Sequence, residues 1–519
     1  MNIVVTMAGH SRRFAAAGYQ GPKFLLPVGD ATMLQHVVEM FGPEDYYHFV
    51  VSTAQLAANP DLEQFLRGLA RRVNVVAIPQ HEEGPTWTAL QVAGIADDDE
   101  VIVTYCDFTV TWDYARFLRH ARTHDAVVPS FKGFHPASFG STYYAYMRTD
   151  GNRMLELREK ASFTEDRTQE HASVGIYYFR TWSLFREYGR RLMAAKNRDL
   201  PEAYVSLVFN DLIADGYDVS VHEVEHFICL GTPEDYEQYQ YWYHYHCRLA
   251  QRTAEIHHAP PPGSVNLLPM AGAGSRFRQY GYRVAKPMIQ VHGVPMVVRA
   301  AQSMPTSDGW IFLPRSEDLD KHPLERMLRR EYSNCTVVPV PGLTSGQAAT
   351  CMLAADVLAD DCSLMIASCD YEHFYDAEQW QAILNDPTID GAIWTYRMGS
   401  GLVRDPRAFA YCDTAADGRT VTEVAEKRTI SDNPGADPLV VGTFWYRRAG
   451  DFKRGVRKMI EAGVTVNGEH YVGTSINGLL QEGLRFVIFD VQQWVSFGDP
   501  FELKVLEYWT DYFGATGAK

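Results

Sequence analysis

One stretch of sequence occurs twice in this chain and decides the fold. Residues 7–23 read MAGHSRRFAAAGYQGPK, and residues 270–286 read MAGAGSRFRQYGYRVAK. Five residues recur at a constant offset of 263 positions: Arg13, Phe14, Gly18, Tyr19 and Lys23 return as Arg276, Phe277, Gly281, Tyr282 and Lys286. Each copy follows a short apolar run that predicts a buried first strand of an α/β domain. The pattern is typical of phosphate binding, because small residues let backbone N–H groups approach a polyphosphate while Arg and Lys neutralise its charge.

The repeat extends over nearly the whole chain. Asp107 in YCDF and Asp370 in SCDY keep the offset of 263. Further along, an offset of 267 links more pairs: Glu159-Lys160 with Glu426-Lys427, Gly175 with Gly442, Glu202 with Glu469, and Gly231 with Gly498. At this period the copies are whole domains, not the short units of a solenoid.

The length of 519 residues fits two domains better than one core. We predict an N-terminal domain at 1–250, a Pro-rich linker at 251–263 and a C-terminal domain at 264–519. The linker contains Pro260-Pro261-Pro262-Gly263, which cannot continue a helix.

Composition excludes several classes of protein. The formal charge of −16 argues against nucleic acid as a partner, because such a protein must offer a cationic face to phosphates. No apolar stretch is long enough to span a bilayer, and the N-terminus has no signal-peptide pattern, so we expect a cytoplasmic protein. The eight cysteines show no CxxC pair, which favours buried reduced thiols over a zinc site or disulfides.

Apolar runs alternate with helix-like segments in both halves. In the first half, the pattern predicts helices at 33–41, 62–71 and 86–95, and strands at 47–52, 73–78 and 101–106. Such alternation indicates a mostly parallel, doubly wound sheet whose ligands bind beyond the carboxyl ends of the strands. The small-residue loop and Asp107 both fall at such ends. A carboxylate beside phosphate-binding cations is well placed to hold Mg²⁺.

The repeated motif resembles the signature of the nucleotidyltransferases that make nucleoside-diphosphate sugars, MAG-x-G-x-RF followed by a PK or KP pair. The resemblance covers both halves. The segments VTEVAEKRTISD and VNGEHYV, with HASVGIYYF and LGTPEDY in the first half, are similar to small bacterial nucleotidyltransferases from capsule clusters. Some members of that subgroup use CTP and non-sugar phosphorylated acceptors.

This resemblance implies an α/β protein of two tandem Rossmann-like nucleotidyltransferase domains, each with a mixed, mostly parallel sheet flanked by helices. It implies the following nucleotide-binding residues: Ala8, Gly9, Gly84, Thr86, Ala271, Gly272, Ala273, Gly274, Gly346 and Gln347. The implied catalytic residues are Arg13, Lys23, Lys160, Arg276, Lys286 and Lys427. The implied acceptor-binding residues are Glu159, Glu202, Glu426 and Glu469. The implied ligands of Mg²⁺ are Asp107 and Asp370.

The implied reaction is transfer of NMP from an NTP, with CTP or another pyrimidine NTP favoured, to a phosphorylated small metabolite such as a sugar phosphate. Pyrophosphate is released, and the partners are the NTP and the acceptor, without nucleic acid or membrane. Oligomerisation stays open. Because the acceptor-side segments of the two halves diverge, the chain is predicted to be bifunctional unless one half has lost turnover.

The sequence departs from the family pattern in several places. Ser11 stands where the pattern has its second glycine, and we expect its Cβ either to crowd the triphosphate or to force a strained turn. Cys229 and Ser496 occupy the position where many relatives carry a second metal-binding Asp. The late Gly-Thr-Pro turn becomes Gly498-Asp499-Pro500 in the second half. Because that half keeps the complete small-residue loop, we expect it to bind triphosphate at least as well as the first.

Other interpretations remain open. Asp113 and Asp376 suit helix N-caps better than metal ligands, and His135 suits a structural hydrogen bond as well as a substrate contact. The aromatic segment 236–245 predicts a packing interface. For the whole chain, three alternatives remain. The first is a glycosyltransferase, although neither YCDF nor SCDY supplies the Asp-x-Asp motif expected of one. The others are a protein in which one half binds nucleotide only for regulation, and a purely structural pseudoenzyme.

Overall fold

The computed structural model describes residues 1–195, 202–251, 259–399 and 405–516. It divides into two compact units, one made of Met1–His244 with Tyr508–Lys519 and one made of Tyr245–Glu507. Within the predicted linker, residues 252–258 lie outside the described ranges. No helix in the described ranges is long and apolar enough to cross a membrane. All eight cysteines are free thiols.

In its described residues, the first half of the chain contains fourteen strands, of which ten form one mixed sheet and four form two separate pairs. Its strands are β1 (Asn2–Thr6), β2 (Pro27–Val28), β3 (Ala31–Thr32), β4 (Tyr46–Ser52), β5 (Arg72–Ile78), β6 (Val101–Thr104), β7 (Phe108–Thr111), β8 (Ala126–Phe131), β9 (Ala145–Asp150), β10 (Arg153–Glu159), β11 (His171–Ser173), β12 (Ile176–Phe179), β13 (Val219–Glu223) and β14 (His226–Cys229). Its helices are α1 (Arg12–Ala16), α2 (Met33–Glu39), α3 (Thr53–Ala58), α4 (Leu62–Gly68), α5 (Pro85–Leu90), α6 (Tyr114–Ala121), α7 (Trp182–Ala194), α8 (Val208–Ala214) and α9 (Pro233–Gln251).

The second half repeats this plan. Its strands are β15 (Val265–Met270), β16 (Gln290–Val291), β17 (Val294–Pro295), β18 (Gly309–Pro314), β19 (Cys335–Val337), β20 (Leu364–Ile366), β21 (Tyr371–Phe374), β22 (Gly391–Tyr396), β23 (Ala410–Thr414), β24 (Val421–Glu426), β25 (Leu439–Tyr446), β26 (Phe486–Asp490) and β27 (Gln493–Ser496). Its helices are α10 (Ser275–Gln279), α11 (Met296–Gln302), α12 (Ser316–Lys321), α13 (Leu324–Glu331), α14 (Gln347–Met352), α15 (Ala377–Asn385), α16 (Ala449–Glu461), α17 (Val472–Gln481) and α18 (Pro500–Thr516).

Both sheets follow one topology. The first contains the order β5-β4-β1-β6-β12-β8-β13, and the second the order β19-β18-β15-β20-β25-β22-β26. In each, the first four strands are parallel and the fifth runs antiparallel to both its neighbours. The predicted fold class, Rossmann-like α/β with mixed sheets flanked by helices, is confirmed. Because parallel strands share their carboxyl edge, this topology brings the loops after β1 and β6 together.

One buried side chain of α18, that of Tyr508, belongs to the first unit. The Tyr508 hydroxyl accepts a hydrogen bond from the Phe227 N–H and donates one to the Phe227 carbonyl, each at 3.0 Å. It also lies 3.0 Å from Nδ1 of His135, which is only 6% exposed. His135 therefore makes a structural hydrogen bond, which is one of the two roles that the sequence suggested for it.

We expect Tyr508→Phe to lower the free energy of unfolding by about 2–4 kcal/mol, because it leaves the buried N–H and C=O of Phe227 without their partner. Urea-induced unfolding measures the change. Tyr280→Phe is the matched control, since Tyr280 is 62% exposed, and should shift stability by less than about 0.5 kcal/mol. Equal stability of the two variants would contradict the anchoring role of Tyr508.

Candidate functional site

The small-residue loop of the first unit connects β1 to α1 through a left-handed residue. Ser11 has φ +51, and its counterpart Gly274 has φ +60. The predicted strained turn is thus present at Ser11, because a side chain there costs free energy that glycine avoids. The Ser11 hydroxyl accepts a hydrogen bond from the Lys23 N–H at 3.2 Å. This contact ties the loop to the segment that carries the predicted catalytic lysine.

A lysine and an aspartate form an ion pair at the carboxyl edge of each sheet. Lys23 Nζ pairs with Asp107 in the first unit, and Lys286 Nζ lies 2.6 Å from Asp370 Oδ2 in the second. Burial opposes ionisation of Asp107, but the charge and hydrogen bond of Lys23 outweigh it and hold the pKa of Asp107 below its usual value. Burial likewise opposes the charge of Lys23, and Asp107 raises the pKa of Lys23 nonetheless. Both groups stay charged at neutral pH.

A cavity of about 680 Å³ opens above this pair in the first unit. It is lined by nine of the predicted residues: Ala8, Gly9, Arg13, Lys23, Gly84, Asp107, Glu159, Lys160 and Glu202. Thr86 does not line the cavity, since its side chain is completely buried. A loop of small residues, three cations and three carboxylates from separate parts of the sequence therefore meet in one cleft.

β10 ends at Glu159, Lys160 follows it, and both residues line the cleft. Glu159 accepts a hydrogen bond from the Ser206 hydroxyl, and Lys160 Nζ lies 3.7 Å from Glu159 Oε1. Burial raises the pKa of Glu159, and the Ser206 and Lys160 contacts offset only part of the effect. Lys160 has φ +58 and Lys427, its counterpart, φ +55. An unfavourable backbone conformation at the same lysine in both halves indicates a functional constraint.

Glu426, the counterpart of Glu159, has lost its hydroxyl partner. Gly473 stands in the place of Ser206, and a Cβ added there would lie 3.3 Å from Glu426 Oε2. Burial raises the pKa of Glu426 to about 7, and the charge of Lys427 opposes this only in part. The Lys427 ammonium donates to the Ala408 carbonyl and lies 5.6 Å from the ring centre of Tyr471.

We expect Glu426→Gln to flatten the pH dependence of stability between about pH 4.5 and 7. In this window the folded chain holds a proton on Glu426 that the unfolded chain has lost, so the stabilisation falls as pH rises through the folded pKa. The full change amounts to at most about 3 kcal/mol. Urea unfolding midpoints from pH 5 to 8 measure it. Glu423→Gln, on the exposed face of the same strand, should leave the profile unchanged.

The Gly84 loop is paired with the segment that carries Glu202. The Ala203 N–H donates to the Glu83 carbonyl at 3.1 Å, and the Thr86 N–H donates to the Ala203 carbonyl at 3.0 Å. We call this backbone pairing the clamp. The second unit has the same clamp, in which His470 bonds to Ser345 at 2.7 Å and to Ala348 at 3.0 Å. It fixes the predicted base-binding loop against the predicted acceptor side.

The remaining predicted residues of the second half occupy matching places. Ala271, Gly272, Ala273 and Gly274 form the loop after β15, Gly346 and Gln347 begin α14, and Glu469 is exposed directly before His470. Arg276 pairs with Asp499, with 3.0 Å between Nη1 and Oδ2. The predictions of nucleotide, acceptor and metal contacts for these residues stay predictions.

The position of the second metal-binding Asp is filled differently in each half. The Cys229 thiol donates to Asp235 at 3.2 Å, and the Ser496 hydroxyl donates to Glu502 at 2.7 Å. Burial and the nearby charge of Asp235 raise the pKa of Cys229, so the thiol is neutral and a poor Mg²⁺ ligand. Asp235 and Glu502 were not among the predicted site residues, although the offset of 267 relates them.

The residues present nevertheless fit Mg²⁺. Asp107 lines the cleft, and the absence of a side chain at Gly231 keeps its carboxylate open, because a Cβ there would lie 3.0 Å from Asp107 Oδ2. Mg²⁺ needs only one or two carboxylates when phosphates and water supply the other oxygens. Within the described ranges, no group of three or more His, Cys, Asp or Glu side chains is placed to hold a metal alone. Asp113 and Asp376 cap α6 and α15.

Residues 3–169 match the family model of the MobA-like NTP transferase domain. The match is confined to this part of the first unit, which is similar to that class of domain. No curated protein matches the chain.

Many solved structures resemble part of the chain, and two of them show the extent of the match. A nucleoside-diphosphate-sugar pyrophosphorylase from Vibrio cholerae RC9 is 20% identical, with 46% of this chain and 98% of that chain covered and a TM-score of 0.39. The inositol-1-phosphate CTP transferase from T. maritima is 13% identical, with 49% of this chain and 98% of that chain covered and a TM-score of 0.39. Each neighbour corresponds in length to about half of this chain.

Proposed function

We propose that this chain is a Mg²⁺-dependent nucleotidyltransferase of duplicated architecture. It transfers NMP from an NTP, with CTP or another pyrimidine NTP favoured, to a phosphorylated small metabolite such as a sugar phosphate, and releases pyrophosphate. The observation that carries the proposal is the convergence of the small-residue loop, Arg13, Lys23, Asp107 and Lys160 on one cleft. The capsule-type motifs support a role in polysaccharide biosynthesis.

The chemistry needs positioning and charge more than covalent participation by the protein. An oxygen of the acceptor phosphate attacks the α-phosphorus, the bond to the β-bridging oxygen breaks, and pyrophosphate carries the electron pair away. Arg13 binds the β- and γ-phosphates, and Lys23 stabilises charge that develops on the α-phosphate. Lys160 holds the acceptor phosphate beside Glu159. Asp107 would hold Mg²⁺, which would supply positive charge to neutralise the phosphate oxygens.

The test is pyrophosphate release by the full chain with CTP, UTP, dTTP, ATP or GTP against a panel of sugar phosphates, other phosphorylated metabolites and phosphonates. We expect release with one or a few pairs and its loss on chelation of Mg²⁺. Absence of release with every pair, together with release of a nucleoside diphosphate from a nucleotide sugar, would instead support the glycosyltransferase alternative.

A further inference from the structure

The two sites differ at the turn that precedes the last helix of each half. In the first unit, Gly231 and Thr232 line the cleft with Arg13 and Asp107. The Thr232 hydroxyl caps the following helix, since it accepts the Asp235 N–H at 3.1 Å. An uncharged cap therefore stands beside the predicted triphosphate site.

In the second unit, Asp499 is the counterpart of Thr232 and carries a charge. Its Oδ1 caps α18 by accepting the N–H groups of Phe501 and Glu502 at 2.9 Å each. Its Oδ2 lies 3.0 Å from Nη1 of Arg276. The cap is thus preserved, and a carboxylate is added where the first unit has a hydroxyl.

The arginines of the two signature motifs consequently differ in availability. Arg13 is exposed in the cleft, and its guanidinium makes no hydrogen bond or ion pair with the part of the chain that the structure describes. Arg276 is engaged by Asp499. Glu502, on the same turn, accepts hydrogen bonds from the Ser496 hydroxyl at 2.7 Å and from the Gly498 N–H at 3.0 Å.

We propose that Asp499 is a specificity-determining residue that makes the second site select against triphosphates, so that nucleotidyl transfer takes place in the first unit. The inference rests on the proposed function of the first site. The second site then takes nucleotides with fewer phosphate charges. This reverses the expectation, drawn from the intact small-residue loop, that the second half binds triphosphate at least as well.

Charge repulsion carries the selection. The Arg276 side chain is 69% exposed, and an ion pair so accessible to water contributes little by itself. A fixed carboxylate within a few ångströms of a polyphosphate, however, opposes binding, and it competes with the phosphates for the same guanidinium. Repulsion and competition both weaken the binding of a triphosphate at the second site.

Exchange of the two caps tests the proposal. Titration calorimetry of the full chain with inorganic tripolyphosphate and Mg²⁺ avoids any dependence on the nucleobase. We expect one tight site in the unmodified chain, two in Asp499→Thr, none in Thr232→Asp, and one in the double variant. Each exchange should alter affinity at its own site by at least about tenfold. Asp499→Asn, which keeps a capping side chain and removes only the charge, should behave as Asp499→Thr does.

Two equivalent tight sites in the unmodified chain, or no gain of a site in both Asp499 variants, would overturn the proposal. Activity provides an independent readout, because Lys23→Ala alone should abolish pyrophosphate release by the full chain if transfer takes place in the first unit. If no NTP and acceptor pair gives release, the proposed function fails, whereas the tripolyphosphate stoichiometry still decides the role of Asp499.

Discussion

Replacement of Asp107 with Asn should lower kcat/KM for pyrophosphate release about 10²–10³-fold. Asn keeps the shape of the side chain but removes the charge that balances Lys23 and that we propose holds Mg²⁺. The effect should appear mainly in kcat, because the phosphate contacts proposed for Arg13 and the small-residue loop are left intact. Initial rates of pyrophosphate release across a series of Mg²⁺ concentrations measure both parameters.

Two variants serve as controls. Asp113→Asn makes the same chemical change at a residue that caps α6 through its hydrogen bond to the Arg116 N–H, at 2.8 Å. Asn caps helices as well as Asp does, so activity and stability should be unchanged. Asp370→Asn makes the change in the second unit and should leave release nearly intact if the first unit performs the transfer. Full activity of Asp107→Asn would refute the role given to Asp107.

Local patterns in the sequence predicted the fold well. The alternation of apolar runs with helix-like segments placed β4, β5 and α2 within one or two residues of their observed starts. The cleft also gathers most of the predicted first-half residues, because a small-residue loop after one parallel strand and an aspartate after another must meet at the same sheet edge. The separation of Arg13, Asp107 and Lys160 in sequence did not prevent this inference.

Contacts between distant segments could not be predicted in the same way. Nothing near Tyr508 in sequence indicates that its hydroxyl bonds to Phe227. The hydrogen bond between Cys229 and Asp235 depends on the direction in which α9 begins after the preceding turn. The periodicity of apolar residues does not reveal that direction. The sequence showed Asp499 as a changed turn residue. Its ion pair with Arg276, with 3.0 Å between Nη1 and Oδ2, became apparent only in the structure.

Gly84→Ala should reduce kcat/KM at least about tenfold and raise KM for both the NTP and the acceptor. Gly84 has φ +96, and a Cβ there would lie 2.6 Å from the Ala203 backbone nitrogen and 3.1 Å from Glu202 Cβ. No flexible side chain can move aside to relieve this contact, so the clamp itself must open. The same substitution at Gly346, where a Cβ would lie 2.5 Å from the His470 nitrogen, should leave pyrophosphate release largely unaffected.

Gly94→Ala separates the loss of the clamp from simple backbone strain. Gly94 has φ +86 and no heavy atom within 4 Å of an added Cβ, so its substitution costs only the roughly 1 kcal/mol of a left-handed alanine. If Gly84→Ala acts through the clamp, it should raise both KM values while Gly94→Ala changes neither. A rise in the KM of the NTP alone would show that the Gly84 loop serves only the nucleotide. If Gly84→Ala and Gly94→Ala changed the KM values equally, backbone strain, and not loss of the pairing with Ala203, would account for the effect of Gly84→Ala.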